Sequence, residues 1–451
     1  MRKLYIIAGL GIFLILLFLV VRSPLSGYYY QQGLENKEKG LYEKAGKYFS
    51  RAVRIKGSFL EARFEKALTE ALLENDSEAI ILFSEIIEMD ENFGAGWFYR
   101  GLSRSVSGDH AGAADDFTRA AELGYEQPAA YTNRGRMWLE LDNNEMAFED
   151  FSKAIAADTA YGPAWFHRGV LKANNGDFQG AVEDYNNAIR YDRENPEAYR
   201  LRGTVMASLD NFVGAIEDYD RLIEMESGYS GLYKQRGIFK REIGDYAGAI
   251  SDLDQALELD SDDAEIYFHR GSSLANLGES GRALEDFNRS IGLDGSDARV
   301  FRTRGLLLLR SGEAGNAIED FRSSIKLDNT NPQSFYLLGT AKAMRQDYSG
   351  SVLEFTKAIE LDSNHAMAYF NRGISRGIMG QHDKAVGDYD RSIELQPDNP
   401  GAYHQRAVSR INLNDMEGGC ADLRTALEMG VQEAESMLRI YCREGENVIV
   451  R

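Results

Sequence analysis

The stretch AWFHRGVLKANNGDFQGAVEDYNNAIRYD, residues 164–192, decides the fold. It places an aromatic at Trp165, a glycine four residues on at Gly169, a turn at Gly176, and then Ala181 and the ring of Tyr185. Working outward, the same order recurs every 34 residues. Gly33, Gly101, Gly135, Gly169, Gly203, Gly237, Gly271, Gly305, Gly339 and Gly373 share one grid, with Ala67 and Ala407 at its two other points. A fixed period of this length signals stacked supersecondary units rather than a globular core. Twelve units tile Ser26 to Glu433 without an insertion.

Each unit reads as two amphipathic helices, for example from near Tyr131 to Leu141 and from near Met146 to Ala156. Seven units place Gly at the turn between them, and Asp142, Asp210 and Asn414 replace it elsewhere, residue types that tolerate the left-handed conformation that ends a helix. A glycine inside a helix costs about 1 kcal/mol relative to alanine, so ten on one grid point need a steric reason. Close approach of the paired helices supplies it. Small residues at Ala45, Ala79, Ala113, Ala147 and their successors leave room for rings at Phe49, Phe83, Phe117, Phe151, Tyr185 and Tyr219.

The pattern resembles the tetratricopeptide-repeat (TPR) family. The resemblance implies an all-α fold, a right-handed TPR superhelix or α-solenoid, with a C-terminal capping helix over residues 434–451. The second unit departs from the family pattern at Arg63, where an aromatic is expected, and at Glu74 in the turn. The resemblance also implies that the first helix of each unit lines a concave groove and that its fifth and ninth residues face a ligand. The fifth positions here include Phe98, Phe166, Arg200, Lys234, Phe268, Arg302, Tyr336 and Phe370. With Arg241 and Arg299 they would present aromatic ends around a basic middle, which steers an acidic or extended protein segment inward. The alternative is that these rings pack between neighbouring first helices. A two-carboxylate clamp for chaperone tails is only partly matched: Lys234 and Arg299 fit, whereas Ile238 and Thr303 stand where an Asn and a basic residue are expected.

Nine units carry an Arg before the Gly and an Asp sixteen residues later, from Arg100 with Asp116 to Arg406 with Asp422; the unit with Leu338 has Glu354 instead. This predicts a ladder of Arg–Asp bridges within or between units.

The chain ends bound the rest. Leu4 to Val21 is uncharged, with fourteen of its eighteen residues Leu, Ile, Phe or Val, and follows Arg2 and Lys3. A helix of that length spans about 27 Å, close to a hydrocarbon core of roughly 30 Å. Residues 1–25 are therefore expected to be a single-pass membrane anchor with its amino terminus in the cytoplasm and the repeats outside, periplasmic in a bacterium. Cys420 and Cys442 each lie eleven residues from a turn near Val431, so antiparallel helices would bring them to disulfide distance.

Catalysis has little room. No Walker loop, G-x-S-x-G, H-E-x-x-H or C-x-x-C occurs, and outside the anchor and the repeats only residues 434–451 are left. No cofactor or metal is expected. A formal charge of -20 repels phosphate backbones, so nucleic acid is excluded as a partner. The expected function is a non-enzymatic protein-protein interaction scaffold or adaptor at a membrane, in envelope assembly or secretion. The alternative is a carbohydrate-binding or enzyme-accessory solenoid of the cell envelope.

Overall fold

The structure, a computed structural model, describes residues 24–442. Among the described residues there is helix and turn and no strand. They form two compact units, one ending at Met225 and the other beginning at Glu226. The first holds α1 (24–38), α2 (Tyr42–Ile55), α3 (Leu60–Leu72), α4 (Asp76–Met89), α5 (Gly94–Val106), α6 (His110–Glu122), α7 (Gln127–Glu140), α8 (Asn144–Ala157), α9 (Gly162–Asn174), α10 (Phe178–Tyr191), α11 (Pro196–Ser208) and α12 (Phe212–Met225). The second holds α13 (Ser230–Glu242), α14 (Tyr246–Leu259), α15 (Ala264–Asn276), α16 (Ser280–Leu293), α17 (Ala298–Arg310), α18 (Ala314–Leu327), α19 (Pro332–Met344), α20 (Tyr348–Leu361), α21 (Ala366–Ile378), α22 (His382–Leu395), α23 (Pro400–Asn412), α24 (Met416–Glu428) and α25 (Glu433–Tyr441). From α1 to α24, odd-numbered helices are the first of each pair and even-numbered helices the second, and α25 follows the twelfth pair. Within each unit, successive helices pack on one another.

The turn inside every pair has one residue at positive φ. Seven are glycines, such as Gly176 at +81°, and the others are Glu74, Asp142, Asp210, Gln346 and Asn414 at 56° to 63°. Glu74 thus makes the same turn as its glycine counterparts, and the second unit packs normally, with Ala67, Ala79 and Phe83 fully buried. Arg63, standing where a ring was expected, bonds instead to Glu85 at 2.5 Å and to the Gly57 carbonyl at 2.9 Å.

Close approach does explain the glycine grid. A Cβ at Gly135 would lie 2.6 Å from the Phe151 ring, and one at Gly373 would lie 2.6 Å from the Tyr389 ring. Phe49, Phe83, Phe117, Phe151, Phe287, Phe321 and Phe355 are fully buried against this column.

The Arg and Asp columns meet. Arg134 sends Nε and Nη2 to the two carboxylate oxygens of Asp150 at 2.7 and 2.6 Å, and Arg168, Arg270 and Arg406 grip Asp184, Asp286 and Asp422 in the same fork. A third contact was not read from the sequence. The Nη1 of Arg100, Arg134, Arg168, Arg202, Arg270, Arg304, Arg372 and Arg406 bonds to a polar residue sixteen positions earlier, on the second helix of the preceding repeat: Ser84, Thr118, Ser152, Asn186, Asp254, Asn288, Thr356 and Asp390, at 2.5 to 3.2 Å. Each of these eight bridges therefore ties one repeat to the one before it within its own unit. In most repeats a second donor one turn on completes the carboxylate, such as Lys172 on Asp184 at 3.0 Å or Trp138 on Asp150 at 3.0 Å. Where Leu338 interrupts the ladder, Glu354 takes Lys342 at 2.6 Å. Burial pushes the Asp116 and Asp218 carboxyls up against the downward pull of their guanidinium partners, and Asp150 holds Arg134 above its ordinary value.

At the carboxyl end, Cys420 on α24 and Cys442 beyond α25 form a disulfide, with Cα atoms 5.8 Å apart. α25 lays Ala434, Met437 and Leu438 over Ala407, Ile411, Leu423 and Ala426.

The expected membrane placement is corrected. Among the described residues no helix is long and apolar enough to cross a membrane. α2 to α25 have at most 14 residues, about 21 Å, and alternate polar and apolar faces. Leu4 to Val21, on which that expectation was placed, lies outside the described residues.

Two outcomes follow from the packing. Gly135→Ala should lower the thermal midpoint, since overpacking by about 1–3 kcal/mol exceeds the roughly 1 kcal/mol helix-propensity gain. Gly387→Ala, mid-helix on α22 with nothing within 4 Å of the added carbon, should raise it. Circular dichroism melts of the two variants check the opposite signs. Arg134→Ala, which leaves the buried Asp150 without its guanidinium, should cost about 3–5 kcal/mol in urea unfolding. The Arg134→Ala/Asp150→Ala pair should cost clearly less than the sum of the single changes.

Candidate functional site

The expected ligand-facing residues all lie on first helices, and their partners follow one rule. Each fifth-position ring rests on the second-helix ring nineteen residues later. Phe98 lies 5.7 Å from Phe117, Phe166 6.2 Å from Tyr185, Phe268 6.3 Å from Phe287, Tyr336 5.9 Å from Phe355 and Phe370 6.1 Å from Tyr389. Beyond the first helix, a residue one or two places before the next first helix closes over several fifth-position rings, Tyr30 and Phe64 included. Tyr30 meets Phe59 at 5.0 Å, Phe64 meets Phe93 at 5.3 Å, Tyr336 meets His365 at 4.8 Å, and Phe98 meets Tyr125 at 5.6 Å.

The reading of Phe98 and Phe268 as exposed anchors is therefore corrected: they are only 8% and 9% exposed. Their faces are taken by neighbours in the same chain, including Arg299, whose guanidinium carbon lies 5.4 Å from the Phe268 ring. Phe166, Tyr336 and Phe370 are half-buried.

The basic residues are also engaged. Where the fifth position is Lys234, the closing residue is an acid: its Nζ donates to Asp263 at 2.8 Å and to Glu265 at 3.1 Å. Arg241 donates to His269 Nδ1 at 2.6 Å and to Glu242 at 2.5 Å, and Arg299 pairs with Asp297 at 2.8 Å. Arg200, exposed, forks onto Glu197. Arg302 forms no ion pair among the described residues and is half-buried. The middle of this face is thus a network of both signs and not a positive patch, because Lys234 meets acids of the next repeat while Arg200, Arg241 and Arg299 each meet an acid within three residues. The sequence carried part of the signal: 29 residues after a fifth position stand Phe59 for Tyr30, Phe93 for Phe64, His365 for Tyr336 and Asp263 for Lys234, whereas Asn195 and Asn399 follow Phe166 and Phe370.

Two histidines share one grid point. Nδ1 of His269 accepts from Arg241, which leaves Nε2 as the protonated nitrogen, 3.6 Å from Glu265. Burial pulls His269 below its ordinary value despite that carboxylate. The His269 ring and the Lys234 ammonium hold Glu265 down at about 2. His167 packs between Phe151 and Phe166, and burial, helped by the charge of Arg136, pulls it down to about 4. Among the described residues no group of His, Cys, Asp and Glu is arranged to hold a metal ion.

One recess opens on this face in the second unit. It has a volume of about 280 Å³ and is lined by Asp263, Glu265, Phe268, Ser290, Asp297 and Arg299, among others. An apolar floor beneath carboxylates and a guanidinium suits a peptide side chain better than a reacting group.

Among known proteins, the family models agree with the repeat pattern. Family models described as TPR repeat match residues 172–210 and 240–278, and models described as tetratricopeptide repeat match 26–59, 100–162, 264–297 and 354–387. Together they span about half of the chain. No curated protein matches in sequence. Solved structures with similar folds include MamA, at 24% identity over 37% of this chain and 96% of the other, with a TM-score of 0.35. YrrB, described as a TPR protein with an unusual peptide-binding site, shows 22% identity over 41% of this chain and 96% of its own, with a TM-score of 0.38. A tetratricopeptide repeat protein from Parabacteroides merdae ATCC 43184 shows 19% identity over 55% and 99%, with a TM-score of 0.41.

The lowered His167 gives a pH signature. Its folded value lies below the unfolded one, so as pH falls from about 6.5 to 4 the unfolded chain takes up a proton that the folded chain refuses. Stability should fall through that window by about 1–3 kcal/mol, after allowance for partial solvent screening. His167→Leu should flatten this component, read as the difference between variant and parent urea midpoints at pH 7 and pH 4.5.

Proposed function

We propose, from the premise that this chain belongs to the tetratricopeptide-repeat family, that it is a non-enzymatic scaffold that takes an extended partner segment along the first-helix face of its repeats. The observation that supports this is the recess between Asp263 and Arg299, which pairs a Phe268 floor with partly exposed charges of both signs. Such a recess rewards a partner that brings its own carboxylate to Arg299, with Arg302 one turn further along α17 outside the recess, and its own cation to Asp263 and Glu265. Ion pairs already formed inside the chain are exchanged for pairs across the interface, so the network favours specificity over raw affinity.

The partner segment on this reading is of mixed charge and not simply acidic. Lys234, one of the two residues that match a clamp for carboxylate tails, is held by Asp263 and Glu265. Stacking on sugar rings would need free aromatic faces, which Phe98 and Phe268 do not offer.

Selection of peptides from a random display library on the full-length protein tests the reading. Selected peptides should carry both charge signs around an apolar residue. Their affinity should drop at least about tenfold for Arg299→Glu/Arg302→Glu and stay within about twofold for Leu353→Glu, an exposed residue on the second helix α20. Equal binding to both variants, or no peptide recovered, would sink the proposal.

A further inference from the structure

The second helix of the first repeat breaks the charge rule of the chain. α2 carries Lys44, Lys47, Arg51 and Arg54 against Glu43 alone, whereas every other second helix has at least as many carboxylates as cations. The four cations stand at i, i+3, i+7 and i+10. At 100° per residue they fall within an arc of about 80° and run about 15 Å along the axis. All four are exposed.

None of the four forms an ion pair among the described residues. That is notable in a chain with 71 acidic residues, which engages most of its other arginines internally. Arg51 is positioned by ring contact, lying 5.7 Å from the Tyr29 ring and 5.8 Å from the Tyr48 ring, which stack on each other at 6.3 Å. Tyr48 occupies the place where later repeats have the ladder Asp, so α2 has no buried carboxylate to draw its cations inward. Between α2 and α3, Lys47, Ser50, Arg51 and Arg54 border an open groove of about 510 Å³, with Glu43, Glu70 and Leu73 among its other lining residues.

From this juxtaposition we infer that the outward face of α2 is a docking surface for an acidic helical segment of a partner protein, distinct from the first-helix face. Carboxylates on one face of a helix recur at the same three- and four-residue steps, so one partner helix laid along α2 meets all four cations, and the two arginines offer it bidentate forks. The net charge of -20 disfavours nucleic acid, whose dense phosphates meet the repulsion of the whole chain, whereas a short acidic helix meets mainly the local stripe. The inference does not rest on the first-helix reading, because the residues and the face are different.

The test uses full-length protein and a fluorescein-labelled alanine-based helical peptide with Glu at i, i+3, i+7 and i+10, read by fluorescence anisotropy. Binding should weaken as salt rises. It should fall at least about tenfold for Lys47→Glu/Arg51→Glu/Arg54→Glu, and by about threefold or more for the milder Lys47→Ala/Arg54→Ala, which preserves helix propensity. Arg322→Glu/Lys326→Glu on α18, which reverses two exposed cations elsewhere and so changes total charge more than the double alanine variant does, should leave binding within about twofold. A peptide of the same composition with Glu spread round the helix should bind more weakly. The inference is overturned if the striped peptide does not bind, if it binds the reversed variant equally, or if anionic phosphatidylglycerol vesicles or duplex DNA need the stripe while the peptide does not.

Discussion

A second-helix ring pressed onto a bare glycine backbone sets the distance between the helices of most pairs, and the rest of the structure depends on that distance. With Phe151 beneath Gly135, the fully buried Ala147 and Ala154 of the same second helix complete the packing, and Ser152 beside them comes within reach of Arg168 of the next repeat. The same spacing lets a fifth-position ring rest on the second-helix ring from the other side, as Phe98 does on Phe117. One column of small residues therefore governs two columns of large ones. Alanine stands at that point in two repeats, and there the core and, at Ala407, the Arg406–Asp422 fork are kept, with Leu423 in place of a ring.

The ladder answers a different need. Apolar stacking is non-directional, and a helix pair that slid by a turn against its neighbour would still bury much of its surface. An Arg that must reach Asp sixteen residues ahead and a hydroxyl, amide or carboxylate sixteen residues behind fixes that register, as Arg270 does between Asp254 and Asp286. Buried pairs of this kind add little net stability because desolvation offsets the attraction, but breaking one is costly. Lys342 with Glu354 shows that the charge pair can be rebuilt from a neighbouring turn where Leu338 removes the Arg.

Much of the fold was legible because each repeat solves the same steric problem at the same place. Gly135, Gly176 and Ala147 are constrained by backbone conformation or by contact at under 4 Å, and such constraints leave a mark in every unit. Arg134 with Asp150 was legible for the same reason. The first-helix face was not, since its state depends on pairings across columns that single columns do not display. Lys234 looked like a free cation until Asp263, 29 residues on, was placed beside it. Phe268 looked like an anchor until Arg299 and Phe287 covered it. The apolar run of residues 4–21 is a composition signal without a counterpart among the described helices, none of which is long and apolar enough to cross a membrane.

The same constraint separates what the repeats conserve among themselves from what they leave free. Where the ladder operates, a second-helix Asp is buried and the Arg of its own repeat is drawn in, so charge is consumed in holding register. The first repeat, with Gln32 and Tyr48 at those two places, has no such obligation. Its helix pair is held by Phe49 under Gly33 and by Tyr30 between Phe49 and Phe59, all apolar contacts. Surface charge on α2 is then under no structural demand from its own repeat. An exposed stripe of four cations still pays a cost in mutual repulsion at i, i+3 and i+4 steps. A helix whose fold does not require that repulsion, in a chain rich in acids that could have relieved it, has its charges arranged for something that comes from outside.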